Sequence, residues 1–162
     1  MKFAVGVFFL SILLTLPKLA LGQSTVCDPY KDYDCLLEKV TSVVDDWSSA
    51  WVEHDIERYF KAYAASTSPL DNVEYKLWRN SRVARLTQAR DIRVNITMIE
   101  IKPLSENNIG IQFIQQYTSQ GYSDNVIKQL VINADFKIVK ERILSKISAV
   151  EAAEMISWIN NK

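Results

Sequence analysis

The side chains with the most chemical potential fall into a few groups. Trp78, Arg79, Arg82 and Arg85, with Arg90 just beyond, concentrate guanidinium groups beside an aromatic ring. Such a fork suits a carboxylate or phosphate, because it donates parallel N–H bonds while the ring face stacks. Ion pairing with Asp91, Glu74 or Asp124 would occupy the same arginines, since exposed arginine is easily paired; both readings stay open. Asp124 and Lys128 stand four positions apart in an alternating stretch, so they share a strand face. A carboxylate in an apolar pocket can serve as a base. The reading taken here is instead a structural ion pair that fixes strand register, since such pairs also perturb ionisation.

His54 could act as a general base, the usual role of a histidine near neutral pH. Its place at a helix end favours a simpler role, with its charge complementing the C-terminal dipole. Trp47, Trp51, Tyr59 and Tyr63 recur at helical spacing and read as core, with tyrosine hydroxyls at the rim able to orient a ligand. There is no Gly-rich phosphate loop, metal-ligand cluster or nucleophile elbow. No catalytic residue, metal or cofactor is therefore assigned.

These groups need elements to hold them. Leu36, Leu37, Val40, Val43, Val44, Trp47, Ala50 and Trp51 form one apolar stripe, which predicts an amphipathic helix over about 34–53. Asp55 suits the N-cap of a shorter helix burying Ile56, Tyr59, Phe60 and Tyr63. Residues 66–72 read as a loop, and a third helix follows over about 73–88. It places Tyr75, Trp78, Arg82 and Arg85 along one flank.

After Asp91 the period changes to two. Ile92, Val94 and Ile96 alternate with Arg93 and Asn95, and the phase then slips, predicting a bulge near Thr97-Met98. Pro103 to Asn108 reads as a turn. Ile109, Ile111, Phe113, Gln115 and Tyr117 form the inward set of a second strand. Strands over about 124–133 and 136–143 follow, linked through Gly121 and Asn133-Ala134-Asp135. Short links between successive strands predict an antiparallel meander. Ser148 and Glu151 have capping-box spacing for a last helix, with Ile147, Val150, Met155, Trp158 and Ile159 as its packing face. Helices first and strands after indicate an α+β domain.

The first residues read as an export signal: basic Lys2, an apolar run from Phe3 to Leu16, then Ala20-Leu21-Gly22. The run is shorter than a membrane span needs, and the residue immediately after the cleavage point is Gln23 and not a lipid-bearing cysteine, so no stable membrane anchor is expected after cleavage. Loss of Lys2 and Lys18 from 19 basic residues leaves 17 against 19 acidic ones, a net charge near −2. That is no footprint for nucleic acid or an anionic membrane. Cys27 and Cys35 fit a structural disulfide in an exported chain, worth roughly 2.5 kcal/mol by chain entropy. A redox pair would favour closer spacing, and zinc would need more ligands. Asn95-Ile96-Thr97 is a sequon by pattern, read as chance within a strand. The expected organisation is 1–22 signal peptide, 23–35 disulfide-bearing segment, 36–143 main domain and 144–162 C-terminal helix.

Several stretches together resemble the nuclear transport factor 2-like superfamily, most nearly the small domain that follows the catalytic domain of some L,D-transpeptidase-like cell-wall proteins. They are Val44 to Trp51 with His54 to Tyr63; Trp78-Arg79-Asn80-Ser81-Arg82 with Ile92-Arg93-Val94; and Phe113 to Tyr117 with Tyr122-Ser123-Asp124, Lys128-Gln129-Leu130 and Phe136-Lys137-Ile138. The resemblance implies a cone-like fold, three N-terminal helices on a strongly curved antiparallel sheet, with an extra C-terminal helix beyond it. It also implies a pocket between the layers and frequent dimerisation. The sequence departs from the wall enzymes in having no cysteine nucleophile near a histidine, so that chemistry is not expected.

The function expected is an exported, periplasmic or secreted, binding or assembly module without catalysis. Pocket candidates are Tyr59, Tyr63, Trp78, Arg82, Arg85, Tyr117, Asp124 and Lys128. Expected partners are a second copy, a cell-wall fragment, a small molecule or an envelope protein. The alternative is a small-molecule isomerase, dehydratase or hydrolase using Asp124 with Tyr117 or His54. Expression in a secreting host should yield a chain starting at Gln23 whose mass rises by two hydrogens on reduction. Intact mass spectrometry checks both; an unprocessed chain would remove the export reading.

Overall fold

The first helix, α1 (Tyr33–Val52), starts where Asp32 leaves helical geometry and its carboxylate accepts from the Cys35 N–H at 2.9 Å. In this computed structural model, residues 28, 31–65 and 68–162 are described. The expected signal peptide and Cys27, hence the expected disulfide, lie outside them. The stripe Leu36, Val40, Val44, Trp47, Ala50 and Trp51 is buried along one side of α1. The helix ends in a Schellman motif: His54 takes a left-handed conformation (φ 59°), and the Asp55 N–H reaches back to the Ala50 carbonyl at 2.9 Å. That reversal launches α2 (Ile56–Lys61), whose Asp55 cap accepts from the Arg58 N–H at 3.0 Å. The third helix, α3 (Tyr75–Gln88), turns Trp78, Arg82 and Leu86 inward at spacings of four.

Four strands follow in a meander, ordered β1 (Arg93–Ser105), β2 (Asn108–Ser119), β3 (Tyr122–Asn133) and β4 (Ile138–Lys146), all antiparallel. Pro103 is part of β1, paired with Ile109, so the turn expected from Pro103 shrinks to Glu106-Asn107. An edge strand tolerates proline because its outward side needs no N–H. The bulge in β1 falls between Met98 and Glu100, close to the expected place. β4 starts at Ile138 and not Phe136, because Phe136 sits in a left-handed turn (φ 56°) that the Asn133 side chain ties together. Two further register shifts, between Val131 and Ile132 and between Ile127 and Lys128, bend the β3–β4 ladder.

The inward sheet face carries Ile109, Ile111, Phe113, Leu130, Ile132 and Ile138, which close one core with the buried sides of α1, α2 and α3. Trp47 stands at its centre, 6.3 Å centroid to centroid from Phe113 and 5.6 Å from Trp51, both edge-on. A parallel bridge between Tyr63 and Ile138 pins the end of α2 to the start of β4. The last helix, α4 (Ala149–Asn160), has the expected capping box at Ser148 and Glu151 and packs on β2 from the other side. Its packing differs from expectation: Ala152 is buried, whereas Val150 and Trp158 are exposed, and Lys162 lies over the Trp158 ring at 3.5 Å. Truncating Phe113 to alanine should cost about 3–5 kcal/mol, measured by urea unfolding, because its ring fills the space beneath Trp47.

Candidate functional site

Glu141 is buried among apolar neighbours, 4% exposed, yet it carries a full set of partners. Its Oε1 accepts from Lys128 Nζ at 2.6 Å and from an Arg82 guanidinium nitrogen at 3.0 Å. Its Oε2 accepts from the Tyr63 hydroxyl at 3.0 Å. Tyr63 spends its proton there, so the neighbouring Tyr59 hydroxyl at 2.9 Å and the Trp47 indole N–H at 2.8 Å must both donate to it. Lys128 also donates to Gln115 Oε1 at 3.2 Å and lies over the Trp47 ring at 5.1 Å. One carboxylate thus faces two cations, leaving a surplus positive charge in the interior.

The ionisation pattern follows from that two-to-one ratio. Burial alone would raise the Glu141 pKa, but the charges of Lys128 and Arg82, with hydrogen bonds from Lys128 and Tyr63, hold it at about 2. Lys128 moves down from its ordinary value: burial disfavours its charge, and Arg82 opposes part of what Glu141 returns. The two partners of one short ion pair differ because the anion is shared and each cation repels the other. Burial pushes Tyr59 up to about 12 and raises Tyr63 well above its ordinary value, so both stay protonated as donors.

Next to this cluster, where β2 and β3 run toward their hairpin, lies a cavity of about 370 Å³. Trp51, Gln115, Tyr117 and Val126 form its inner wall, and Arg85, Tyr122, Asp124 and Ile143 its remainder. Alternation explains the set: Gln115 and Tyr117 point inward from β2, and their cross-strand partners are Val126 and Asp124 on β3. Arg85, one turn after Arg82 on α3, reaches the same space. Trp51 and Tyr117 stack obliquely at 5.3 Å, and Tyr117 meets Tyr122 at 5.9 Å. Burial, with Asp124 charge and hydrogen bonding, raises the Tyr122 hydroxyl pKa. Among the described residues, no group of three or more His, Cys, Asp or Glu could hold a metal, and no helix is long and apolar enough to cross a membrane.

The sequence-derived candidates therefore divide. Arg85, Tyr117 and Asp124 line the cavity, whereas Tyr59, Tyr63, Trp78, Arg82 and Lys128 are buried behind it. The partner of Arg82 is Glu141, and the Asp124–Lys128 pair does not form: four strand positions separate them by about 13 Å. Arg79 instead lies over the Phe60 ring at 4.6 Å. His54 is exposed, and its Nδ1 donates to the Leu86 carbonyl, so it closes the end of α3 and stays away from the cavity. Trp51, read as pure core, is also a wall residue. Gln115 carried a signal in its inward alternation. Glu141 carried none, because one extra residue near Val139 shifts the phase of β4 and turns it inward.

A family model described as the Cds6 C-terminal NTF2-like domain matches residues 39–146. No curated protein matches the chain. Among solved structures, Bd1075 of Bdellovibrio bacteriovorus is 21% identical at a TM-score of 0.62, covering 76% of this chain and 44% of its own. The helical cell shape determining protein Pgp2 of Campylobacter jejuni is 16% identical at 0.54, over 68% and 40%. A putative scytalone dehydratase of Novosphingobium aromaticivorans is 11% identical at 0.55, over 71% and 88%. At these identities the likeness is one of fold. The chain spans less than half the length of the first two.

Removing the shared anion should be severe. Glu141→Gln leaves two buried cations without a counter-charge and should destabilise the fold by about 3–5 kcal/mol, read by urea unfolding near neutral pH. In the wild type, a carboxyl held below its unfolded value stabilises fully above that value. Stability should therefore fall as pH drops from 4.5 toward about 2, by roughly 3 kcal/mol at the 1.4 kcal/mol that each unit carries. A flat acid limb in wild type would contradict the cluster.

Proposed function

Because the chain belongs to the Cds6 C-terminal NTF2-like domain family, we propose that it is an exported module that holds a small ligand in the β2–β3 cavity without transforming it. The observation that carries this reading is the composition of the cavity. It has an aromatic wall, a few convergent polar groups and a volume of about 370 Å³, within the range of roughly 300–1,000 Å³ usual for small-molecule sites. The export signal read from the first 22 residues supports work outside the cytoplasm. A link to cell-wall processing draws its support from the resemblance to wall-enzyme domains and from the cell-shape role named for Pgp2. Dimerisation draws its support from the resemblance alone.

A second reading has one observation in its favour. Asp124 and Tyr117 face each other across the β2–β3 ladder inside the cavity, the arrangement that an isomerase or dehydratase needs for a base and a hydroxyl donor. His54 is remote from them and has no part in this reading. Asp124→Asn should leave ligand binding measurable while abolishing turnover if the cavity is catalytic.

The binding reading is tested by filling the mouth. Ile143 is 55% exposed at the cavity edge, so Ile143→Trp adds a ring there at little cost to folding. A ligand-observed NMR screen of aromatic fragments should find binders of the wild type, with affinity falling at least about tenfold in the variant at unchanged melting temperature. Equal binding to both proteins, or none to the wild type, would refute a ligand site in this cavity.

A further inference from the structure

The inner end of the cavity is built to donate hydrogen bonds. Gln115 is 4% exposed and forms part of the wall. Its Oε1 accepts from Lys128, and an ammonium can only donate, so the amide cannot turn over. The NH2 group is not taken by Lys128, and the residue that carries it lines the cavity. Behind it stand Lys128 and Arg82 against the single charge of Glu141, where solvent screens little. Trp51, on the same wall, carries an indole N–H with no acceptor among the described residues.

Farther along the hairpin the character changes. Asp124 and Tyr117 form the next inward row beyond Gln115 and Val126, about 7 Å away along the strands. A carboxylate there accepts but cannot donate. Between the two rows the surface is the Trp51 and Tyr117 rings with Val126. Arg85 on the cavity wall and the surplus charge behind Gln115 would repel a simple cation, and Asp124 would repel an anion that reaches the outer row. The geometry points to an amphoteric small molecule. Its carboxylate docks on the Gln115 amide under the field of the buried cations, its apolar body packs along the Trp51 and Tyr117 side chains, and a hydroxyl or ammonium at the other end donates to Asp124. This rests on the cavity being a ligand site, as argued above.

Four probes separate the elements: para-hydroxyphenylpropionate, its methyl ester, phenylpropionate and tyramine, each titrated against the full chain by tryptophan fluorescence and NMR. The hydroxy acid should bind at least about tenfold tighter than its ester or tyramine, and several-fold tighter than phenylpropionate. Gln115→Glu keeps the shape and pairs with Lys128, so folding is retained. It should erase the advantage of the acid over its ester. Asp124→Asn should erase the advantage of the hydroxyl while keeping that of the carboxylate. If the ester or tyramine binds as tightly as the acid, the amphoteric class is overturned while the cavity stands as a site. If none of the four binds although other fragments are displaced by Ile143→Trp, the class is again overturned and the site stands. An advantage of the acid that survives Gln115→Glu would remove the donor end.

Discussion

A single buried carboxylate organises this molecule. Glu141 on β4 receives Lys128 from β3, Arg82 from α3 and, through Tyr63, the end of α2 and the indole of α1. Burying an ion pair is costly unless geometry and hydrogen bonding are nearly complete. Here both carboxylate oxygens are used, and the cations gain aromatic faces at Trp47 and Trp51. These directed contacts hold three helices at one place on the sheet. Apolar contacts alone would allow them to slide, because hydrophobic burial has no direction.

The same cluster shapes the cavity beside it. Gln115 belongs to both, accepting from Lys128 on one side and walling the cavity on the other. The ionised interior therefore sets the orientation of an amide that solvent or ligand meets. Arg82 and Arg85 divide the labour along α3: the first is consumed by Glu141 inside, and the second remains at the cavity. Trp51 joins the layers by packing on Trp47 within the core and on Tyr117 at the wall.

Much of the architecture was legible in the residues. The apolar stripe of α1, the Asp55 cap, the period-two run after Asp91 and the capping box at Ser148 each encode local structure through short-range rules. Departures arose where two local rules competed. Pro103 reads as a breaker, yet the edge position of β1 leaves its missing N–H without cost. Phe136 reads as a strand residue, yet the Asn133 side chain closes a turn around it. The apolar residues of α4 promise a packing face, but only Ala152 is fully buried while Met155 and Ile159 are half-buried, because one side of the sheet offers α4 little beyond β2.

The chemistry of the site was less legible, for a reason of distance. Residues at one helical or strand spacing share a face, so the sequence alone placed Arg82 with Trp78 and Asp124 with Lys128 on common sides. A common side is not a contact. Pairing is decided by side chains 59 and 78 positions apart, Arg82 or Tyr63 with Glu141. It was decided by one extra residue in β4, which reversed the alternation and brought Glu141 inside. Sequence determined which elements form and which faces are apolar, because those follow from neighbours along the chain. Only the tertiary structure decided which charges meet and where the cavity opens, because register shifts and helix docking depend on the whole fold at once.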